Sequence, residues 1–334
     1  MSRGDTIAAI ATAPGRGGVA VVRVSGSEAF AVAERLTQDC FAKGEAASSP
    51  LVRIRKIRFS SSGGGAASTL IDEAVILAFK GPNSYTGEDV VEFQCHGGTV
   101  TPRRVLEACL AAGARLARRG EFTERAFLNG KVDYDQAESV LDLIDAKTAR
   151  AADAALEGLA GRRRRECRAL YESALDLSTR LEHALDVDES ELASGFVDEL
   201  RVKSEELRVA IEKAIRHSAE SRLLQRGALV VLAGPPNAGK SSLLNALLEE
   251  NRAIVSDVPG TTRDSIEAWI DLDGWPIRLV DTAGLREAKD EVEVEGVKRT
   301  EELLLKADVV VLLQVPGFRF QVSGFRFQVL SPLT

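Results

Sequence analysis

Residues Gly234 to Ser242 read GPPNAGKSS, and their types and spacing are those of a phosphate-binding loop. An apolar run, Ala228–Ala233, precedes them and the helix-forming sequence LLNALL follows, which gives the order strand, glycine loop, helix. In that order the loop N–H groups converge at the positive end of the helix dipole. A glycine-rich turn alone is often only a tight connection, but the complete GxxxxGKS string in this setting predicts a nucleoside triphosphate site. The predicted nucleotide contacts are Asn237, Ala238, Gly239, Lys240, Ser241 and Ser242. Lys240 would reach the β- and γ-phosphates, and the Ser241 hydroxyl would ligate Mg²⁺.

Two further segments support this site. The sequence DTAG, Asp281–Gly284, ends an apolar strand 41 residues after Lys240, where its carboxylate can hold the Mg²⁺ hydration shell. Between them GTTRD, Gly260–Asp264, stands where a switch loop is expected, and Thr262 there can complete the Mg²⁺ shell. In this order the three elements indicate a translation-factor-like GTPase. The additional nucleotide contacts predicted from these segments are Thr261, Thr262, Asp281, Thr282, Ala283 and Gly284. Ser256, which precedes the switch segment, is included in the predicted nucleotide set.

Hydrolysis of the γ-phosphate cannot rely here on a glutamine that orients the attacking water. The residue after DTAG is Leu285, whose apolar side chain cannot orient an attacking water. The Asn237 amide can instead coordinate a monovalent cation beside the phosphates, with backbone carbonyls of 256–261 filling the shell. Three carboxylates of the second switch can contact the water, although the preference of helix N-termini for acidic residues explains them equally well. They are Glu287, Glu291 and Glu293.

The elements that position these residues fall into three zones. Up to about residue 120, Val- and Ile-rich runs alternate with turns and two helical stretches, which predicts an α+β domain. Residues 121–226 keep a helical spacing of Leu and Ala and predict an all-α domain of long antiparallel segments, with a turn near 186–195. From 227 to 313 the pattern is β-loop-α, which predicts an incomplete α/β P-loop G domain with a mostly parallel, doubly wound sheet.

Individual elements follow from the same patterns. The strands predicted before residue 120 are Thr6–Thr12, Val19–Ser25, Val52–Phe59, Glu73–Phe79 and Val90–Cys95, and the two helices, each with a Ser or Thr cap, are Ser27–Leu36 and Pro102–Ala112. The glycine-rich run 60–68 predicts a mobile loop. After residue 226 the predicted elements are a strand at Leu229–Ala233, a helix at Lys240–Leu248, strands at Ser265–Leu272 and Ile277–Val280, a helix at Glu293–Lys306 and a strand at Val309–Leu313.

Composition limits the class of protein. The 334 residues carry a formal net charge of −7, so the chain as a whole is not a basic body that coats nucleic acid. The four cysteines form no CxxC pair, which favours reduced thiols over a zinc site or a disulfide framework. Neither a secretory leader nor a run of about 18 apolar residues is evident, so we expect a soluble, cytoplasmic protein without a membrane partner. The arginine cluster Arg162–Arg165 with Arg168 can bind RNA phosphates, but such clusters are about twice as often only the solvent-exposed face of a helix.

Three blocks in the N-terminal part resemble the tRNA-modification GTPase family MnmE, also called TrmE. They are DTIAAIATAPGRGGVAVVRVSG, GPNSYTGEDVVEFQCHGG at Gly81–Gly98, and RRGEFTERAFLNGKVDYDQAE at Arg118–Glu138. With the G-domain motifs, the resemblance extends over residues 1–313. It implies a folate-binding, dimerising domain at 1–120, a helical domain whose N-terminal half is 121–226, and a TrmE-type G domain at 227–313.

The resemblance also implies particular ligands. 5-Formyltetrahydrofolate would contact Arg23, Glu92 and Lys131; K⁺ would bind Asn237 with carbonyls of Ser256, Val258 and Thr261; Mg²⁺ would bind Ser241 and Thr262; and Glu293 would be the catalytic glutamate, acting with Asn237 and Lys240. GTP hydrolysis, activated by K⁺-dependent pairing of G domains in a homodimer, would drive modification of the wobble uridine at C5 in tRNA together with the FAD-dependent subunit MnmG, also called GidA.

After Leu313 the family pattern stops. No NKxD element that reads guanine follows, and no C-terminal CxGK. Residues 314–334 instead repeat GFRFQV twice, which predicts an aberrant tail from a frameshift or truncation, an exposed apolar edge at Val309–Leu313, and impaired, poorly discriminating nucleotide binding. Two other functions stay open: a ribosome-assembly switch like the Era-type GTPases, and a non-catalytic folate-binding dimer.

Overall fold

The structure, a computed structural model, describes residues 4–39, 51–59, 69–187, 195–234, 238–250, 253–254, 267–281 and 302–313. It divides into two compact units, one up to Ala137 and one from Glu138. The domain boundaries predicted from the sequence remain predictions. The predicted loop at 60–68 and the tail at 314–334 lie outside the described residues.

The first unit contains a six-stranded sheet with two helices on one face. Its strands, β1 (Ile7–Ile10), β2 (Val19–Ser25), β3 (Leu51–Phe59), β4 (Thr69–Phe79), β5 (Val90–His96) and β6 (Arg115–Leu116), lie in the order β3-β4-β5-β2-β1-β6. All neighbours are antiparallel except β1 and β6. The helices α1 (Ala29–Thr37) and α2 (Thr101–Ala111) cover the face that carries Val22, Ile76 and Phe93, all fully buried.

The strand predictions for this unit are confirmed within a few residues, but the predicted helix caps are wrong. The α1 N-cap residue is Glu28, whose side chain makes no capping bond. Its backbone N–H is satisfied instead by the Thr6 hydroxyl at 3.0 Å, from the segment that enters β1. Ser27 donates to the Gly4 carbonyl, and α2 begins after Val100, again without a side-chain cap. A tertiary contact therefore provides the hydrogen bond at the start of α1 that a local Ser or Thr cap was expected to provide.

Between residues 121 and 226 the described chain is helical apart from short connections, as predicted. They are α3 (Glu121–Leu128), α4 (Tyr134–Asp145), α5 (Ala149–Leu159), α6 (Arg162–Asp186) and α7 (Phe196–Arg226). Arg180 on α6 pairs with Glu199 on α7, and Asp176, which is earlier on α6, pairs with Lys203, which is later on α7. The two helices are therefore antiparallel. Among the described helices, none has the length and apolar character to cross a bilayer.

The second unit also contains a five-stranded sheet, in the order β11-β7-β10-β9-β8. Its elements are β7 (Ala228–Ala233), α8 (Lys240–Glu250), β8 (Ala253–Ile254), β9 (Glu267–Leu272), β10 (Trp275–Asp281) and β11 (Val309–Leu312), with a helical turn at 302–306. β7 is parallel to β10 and β11, but β9 is antiparallel to β10 and β8. The sheet is therefore mixed among the described strands, and the prediction of a mostly parallel sheet is wrong. The reason is the β9–β10 hairpin, where Asp273 and Gly274 both adopt positive φ.

Candidate functional site

The phosphate loop leaves the carboxyl end of β7 at Gly234, which is buried and has a φ of +152°. A Cβ atom there would lie 2.6 Å from the Leu313 carbonyl oxygen, so the position requires glycine. At the other end of the loop, Gly239 has a φ of +88° and its carbonyl accepts from the Leu243 N–H inside α8. Ala238 precedes it, and Ser242 is exposed in the first turn of the helix. A Cβ atom built on Gly239 would have no atom of the described residues within 4 Å, so the described part of the loop leaves this end of α8 uncovered.

Lys240 is the first residue of α8 and is 6% exposed. Its ammonium group donates a 3.0 Å hydrogen bond to the Gly234 carbonyl at the opposite end of the loop. This bond holds a positive charge across the loop. A buried cation held at a helix N-terminus is suited to binding a phosphate group.

Ser241 and Asp281 meet at the mouth of the sheet. β10 runs parallel to β7 with Asp281 opposite Leu232, so the carboxylate reaches the N-terminal turn of α8. The Ser241 hydroxyl donates to the Asp281 carboxylate at 2.8 Å, and Asp281 is fully buried. A hydroxyl and a carboxylate oxygen at this spacing beside a phosphate site form a donor set that Mg²⁺ prefers. The described residues therefore fit a Mg²⁺-nucleotide, which Ser241 and Asp281 would hold.

The remaining predicted nucleotide and cation residues lie outside the described residues. They are Asn237, Ser256, Val258, Thr261, Thr262, Thr282, Ala283, Gly284 and Glu293. The K⁺ site, the second Mg²⁺ ligand and the catalytic glutamate therefore stay predictions.

Arg23 and Glu92 lie side by side in the first unit. They are directly paired residues of β2 and β5, and the Arg23 Nε donates to the Glu92 carboxylate at 2.7 Å. The Arg23 guanidinium also lies over two aromatic rings, 5.2 Å from the Tyr85 centroid and 5.7 Å from the Phe122 centroid. Both side chains are partly exposed. The sheet thus presents a planar cation, a carboxylate and two rings together, a set suited to a flat heterocycle with polar edges.

Lys131 contacts the same loop as Arg23 does. The Lys131 ammonium donates to the Pro82 carbonyl at 3.0 Å, and the Lys131 aliphatic stem lies beside Gly87. The Arg23 guanidinium contacts Tyr85, which lies between Pro82 and Gly87 in the sequence. The three residues of the predicted folate set therefore all belong to one neighbourhood, around the 81–89 loop. Tyr85 and Phe122 were not identified from the sequence. Both are aromatic residues within the segments Gly81–Gly98 and Arg118–Glu138 that resemble the family, and this was the signal that could have identified them.

A second group that sequence reasoning missed is a charge cluster of the first unit, around a cavity of about 340 Å³. The Arg115 guanidinium donates to Glu121 at 2.5 and 2.9 Å and to Asp5, and Arg125 bonds Asp5, Glu88 and Glu121. Glu121 is 3% exposed, and its hydrogen bonds from Arg115 lower its pKa to about 2. The cluster ties the start of β1 to α3 and so supports the loop around which the Arg23 group lies.

Three arginines of the basic cluster on α6 lie in ion pairs. Arg162 pairs with Glu157, Arg163 lies 3.9 Å from Asp142, and Arg168 pairs with Glu172. This favours the solvated helix face over an RNA site.

The fold and the site define a nucleotide-binding protein of the P-loop class. A family model described as a 50S ribosome-binding GTPase matches residues 229–323, and one described as the N-terminus of the GTP-binding protein TrmE matches residues 6–131. Curated relatives agree. The tRNA modification GTPase MnmE of Symbiobacterium thermophilum is 47% identical over 92% of this chain and 66% of its own length, and that of Geobacillus kaustophilus is 44% identical over 94% and 67%. The MnmE of Chromohalobacter salexigens is 45% identical over 94% and 66%.

The chain belongs to the MnmE family of tRNA modification GTPases. It spans about two thirds of the length of these relatives.

Proposed function

We propose that this chain binds GTP with Mg²⁺ and hydrolyses the γ-phosphate. The observation that carries the proposal is the 2.8 Å bond between Ser241 and Asp281 beside the buried ammonium of Lys240. Lys240 neutralises phosphate charge, the Ser241 hydroxyl ligates the metal, and the Asp281 carboxylate holds the hydration shell of the metal. Mg²⁺, when bound, supplies charge stabilisation for the phosphoryl group as it leaves.

We assign activation of hydrolysis to K⁺-dependent pairing of two G domains. Leu285 cannot orient a water, so a cationic group is needed beside the phosphates. The Asn237 amide with carbonyls of Ser256, Val258 and Thr261 would hold K⁺ there, Thr262 would complete the Mg²⁺ shell, and Glu293 would act on the water. The family membership of the chain supports this assignment.

We assign 5-formyltetrahydrofolate to the first unit, at Arg23, Glu92 and Lys131, with a homodimer formed by that unit. The pairing of Arg23 with Glu92 over two aromatic rings supports a site for a flat ring with donor and acceptor edges. Glu92 can accept from pterin N–H groups, and Arg23 and Lys131 can donate to carbonyl or carboxylate oxygens.

The biological reaction we propose is modification of the wobble uridine of tRNA at C5, in the cytoplasm and together with an FAD-dependent MnmG subunit. The relatives are tRNA modification GTPases, which supports a role in tRNA modification. The one-carbon unit would come from the folate, and GTP hydrolysis would drive the complex through its cycle.

The test measures GTP hydrolysis in KCl and in NaCl at equal ionic strength, with Lys240→Ala as the inactive reference. We expect turnover in KCl to exceed turnover in NaCl at least tenfold, and no turnover in the variant. Equal rates in both salts would exclude the K⁺ mechanism. Adding MnmG, tRNA and formylfolate, followed by nucleoside analysis at the wobble position, tests the reaction; an unmodified uridine would contradict it.

One observation favours a second function, a ribosome-binding switch, because the matching G-domain model is described as a 50S ribosome-binding GTPase. Cosedimentation with 50S subunits in the presence of a non-hydrolysable GTP analogue would show it. The TrmE match over residues 6–131 favours the modification reaction.

A further inference from the structure

Helix α5 contacts the hairpin that joins β9 to β10, far from the phosphate loop. The Thr148 hydroxyl accepts from the Ala151 N–H as the α5 N-cap and donates to the Gly274 carbonyl at 2.8 Å. The Arg150 guanidinium lies 4.2 Å from the centroid of the Trp275 ring, and its aliphatic stem lies against Gly274. One helix end therefore holds both the backbone and the aromatic side chain of the hairpin.

The hairpin has little freedom to deform at this point. Asp273 and Gly274 both have positive φ, and the Asp271 carboxylate accepts from the Gly274 N–H at 2.7 Å. These are the features of a tight two-residue turn. A displacement of the turn is therefore transmitted to the strands and is not absorbed by the loop.

β10 connects this turn directly to the metal site. It begins at Trp275, which Arg150 covers, and ends at Asp281, which accepts from Ser241. The strand spans about 20 Å at the usual rise per residue. It is hydrogen-bonded to β7 on one side and to β9 on the other, so a displacement at Trp275 is carried along these ladders towards Asp281.

We propose that Arg150, with Thr148, is a positioning residue for Asp281: by holding the hairpin, α5 sets the axial position of β10 and thus the distance between the Asp281 carboxylate and Ser241. The inference rests on the proposed GTPase function and names a determinant of its metal affinity. By linkage, Mg²⁺-nucleotide binding at Asp281 changes the Arg150–Trp275 contact by the same coupling energy. The helical segment that contains α5 is thereby coupled to the nucleotide state.

Arg150→Ala tests this proposal cleanly because it leaves the α5 cap intact. The fold has other contacts at the same hairpin, since Trp269 packs on Gly227. Arg150→Lys keeps a cation for the ring. The matched control is Arg168→Ala, an exposed arginine of α6 paired with Glu172.

The measurement is the affinity for a fluorescent GTP analogue, titrated with Mg²⁺ and repeated in EDTA. We expect Arg150→Ala to weaken the apparent Mg²⁺ affinity about three- to fivefold, the ratio that an exposed cation–π contact supports. Affinity in EDTA should be unchanged, Arg150→Lys should recover most of the loss, and Arg168→Ala should match wild type. Equal Mg²⁺ dependence in Arg150→Ala and wild type, or an equal loss in EDTA, would overturn the proposal.

A spectroscopic readout is available because the two tryptophans of the chain, Trp269 and Trp275, both lie on this hairpin. In a Trp269→Phe background, Trp275 emission should change when Mg²⁺ is added to the GTP complex, and the change should disappear with Arg150→Ala. Constant emission overturns the coupling while leaving the GTPase assignment intact. Absence of any GTP binding by the wild-type chain would instead overturn both.

Discussion

The Ser241 hydroxyl donates to the Asp281 carboxylate at 2.8 Å across 40 residues of chain. Two parallel strands bring them together, because β7 ends at the phosphate loop and β10 ends at Asp281, directly opposite Leu232. The relationship fixes where a divalent metal and the phosphates of a nucleotide would lie, at the carboxyl edge of the sheet.

Replacing Ser241 by Ala should weaken Mg²⁺-dependent GTP binding about tenfold or more, since a hydrogen-bonding partner of a charged group contributes about 1.5–3 kcal/mol. The variant removes the metal-facing hydroxyl and leaves the buried Asp281 without this donor. Calorimetry with and without Mg²⁺ measures the effect. Ser173→Ala on α6 is the control, and equal affinities for Ser241→Ala and this control would contradict the assignment.

Replacing Arg23 by Ala should lower 5-formyltetrahydrofolate affinity about tenfold or more, by the loss of a charge-assisted hydrogen bond. Glu92→Gln should act in the same direction. Because Arg23 and Glu92 bond each other, the double variant should lose less than the sum of the single losses. Equilibrium binding measures all three, with Arg104→Ala on the exposed side of α2 as the control. A folate affinity that none of the changes alters would remove the site from this sheet.

The Glu121 carboxylate should make the first unit acid-sensitive. Its pKa in the folded state is about 2 because of the Arg115 hydrogen bonds, below the ordinary value of 4.5. The stabilisation is therefore complete above pH 4.5 and is lost as the pH falls towards 2, by about 2 kcal/mol after allowing for the exposure of Arg115.

Glu121→Gln should remove that dependence. Hydrogen exchange of the α3 amides, compared with wild type at the same pH, should show a large difference at pH 6 that shrinks at pH 4 and again at pH 3. Glu124→Gln, on the same helix but exposed, should show little difference at any pH. A difference for Glu121→Gln that grows as the pH falls would contradict the assignment.

Gly227→Ala should destabilise the second unit by about 2–4 kcal/mol, the sum of an unfavourable positive φ and overpacking. Gly227 has a φ of +72°, and its Cβ would lie 2.4 Å from the Trp269 ring. Gly195 has a φ of +87°, and a Cβ atom there would have no atom of the described residues within 4 Å, so Gly195→Ala should carry only the backbone cost. Thermal unfolding followed by tryptophan emission compares the two. Similar melting temperatures for both variants would show that the Trp269 ring moves aside without cost, which would contradict the overpacking predicted here.

The sequence predicted much of the local structure because each pattern is local. The order of apolar strand, glycine loop and helix around Lys240 follows from neighbouring residues. The Thr6 contact at Glu28 was not predictable in this way, because the partner of a helix end lies far away in the chain. The antiparallel β9–β10 pair does have a local signal, the two-residue turn at Asp273 and Gly274, and the expectation of a mostly parallel sheet did not use it.

The sequence by itself determined that a phosphate loop with a lysine and a serine is present, and which family its blocks belong to, since these depend on residue type and short spacing. Only the tertiary structure decided that Asp281 reaches Ser241, that Arg23 pairs with Glu92 over two rings, and that α5 holds the β9–β10 hairpin. Each of these contacts joins residues remote in sequence. Their meeting depends on strand register and on how helices pack, which no local pattern specifies.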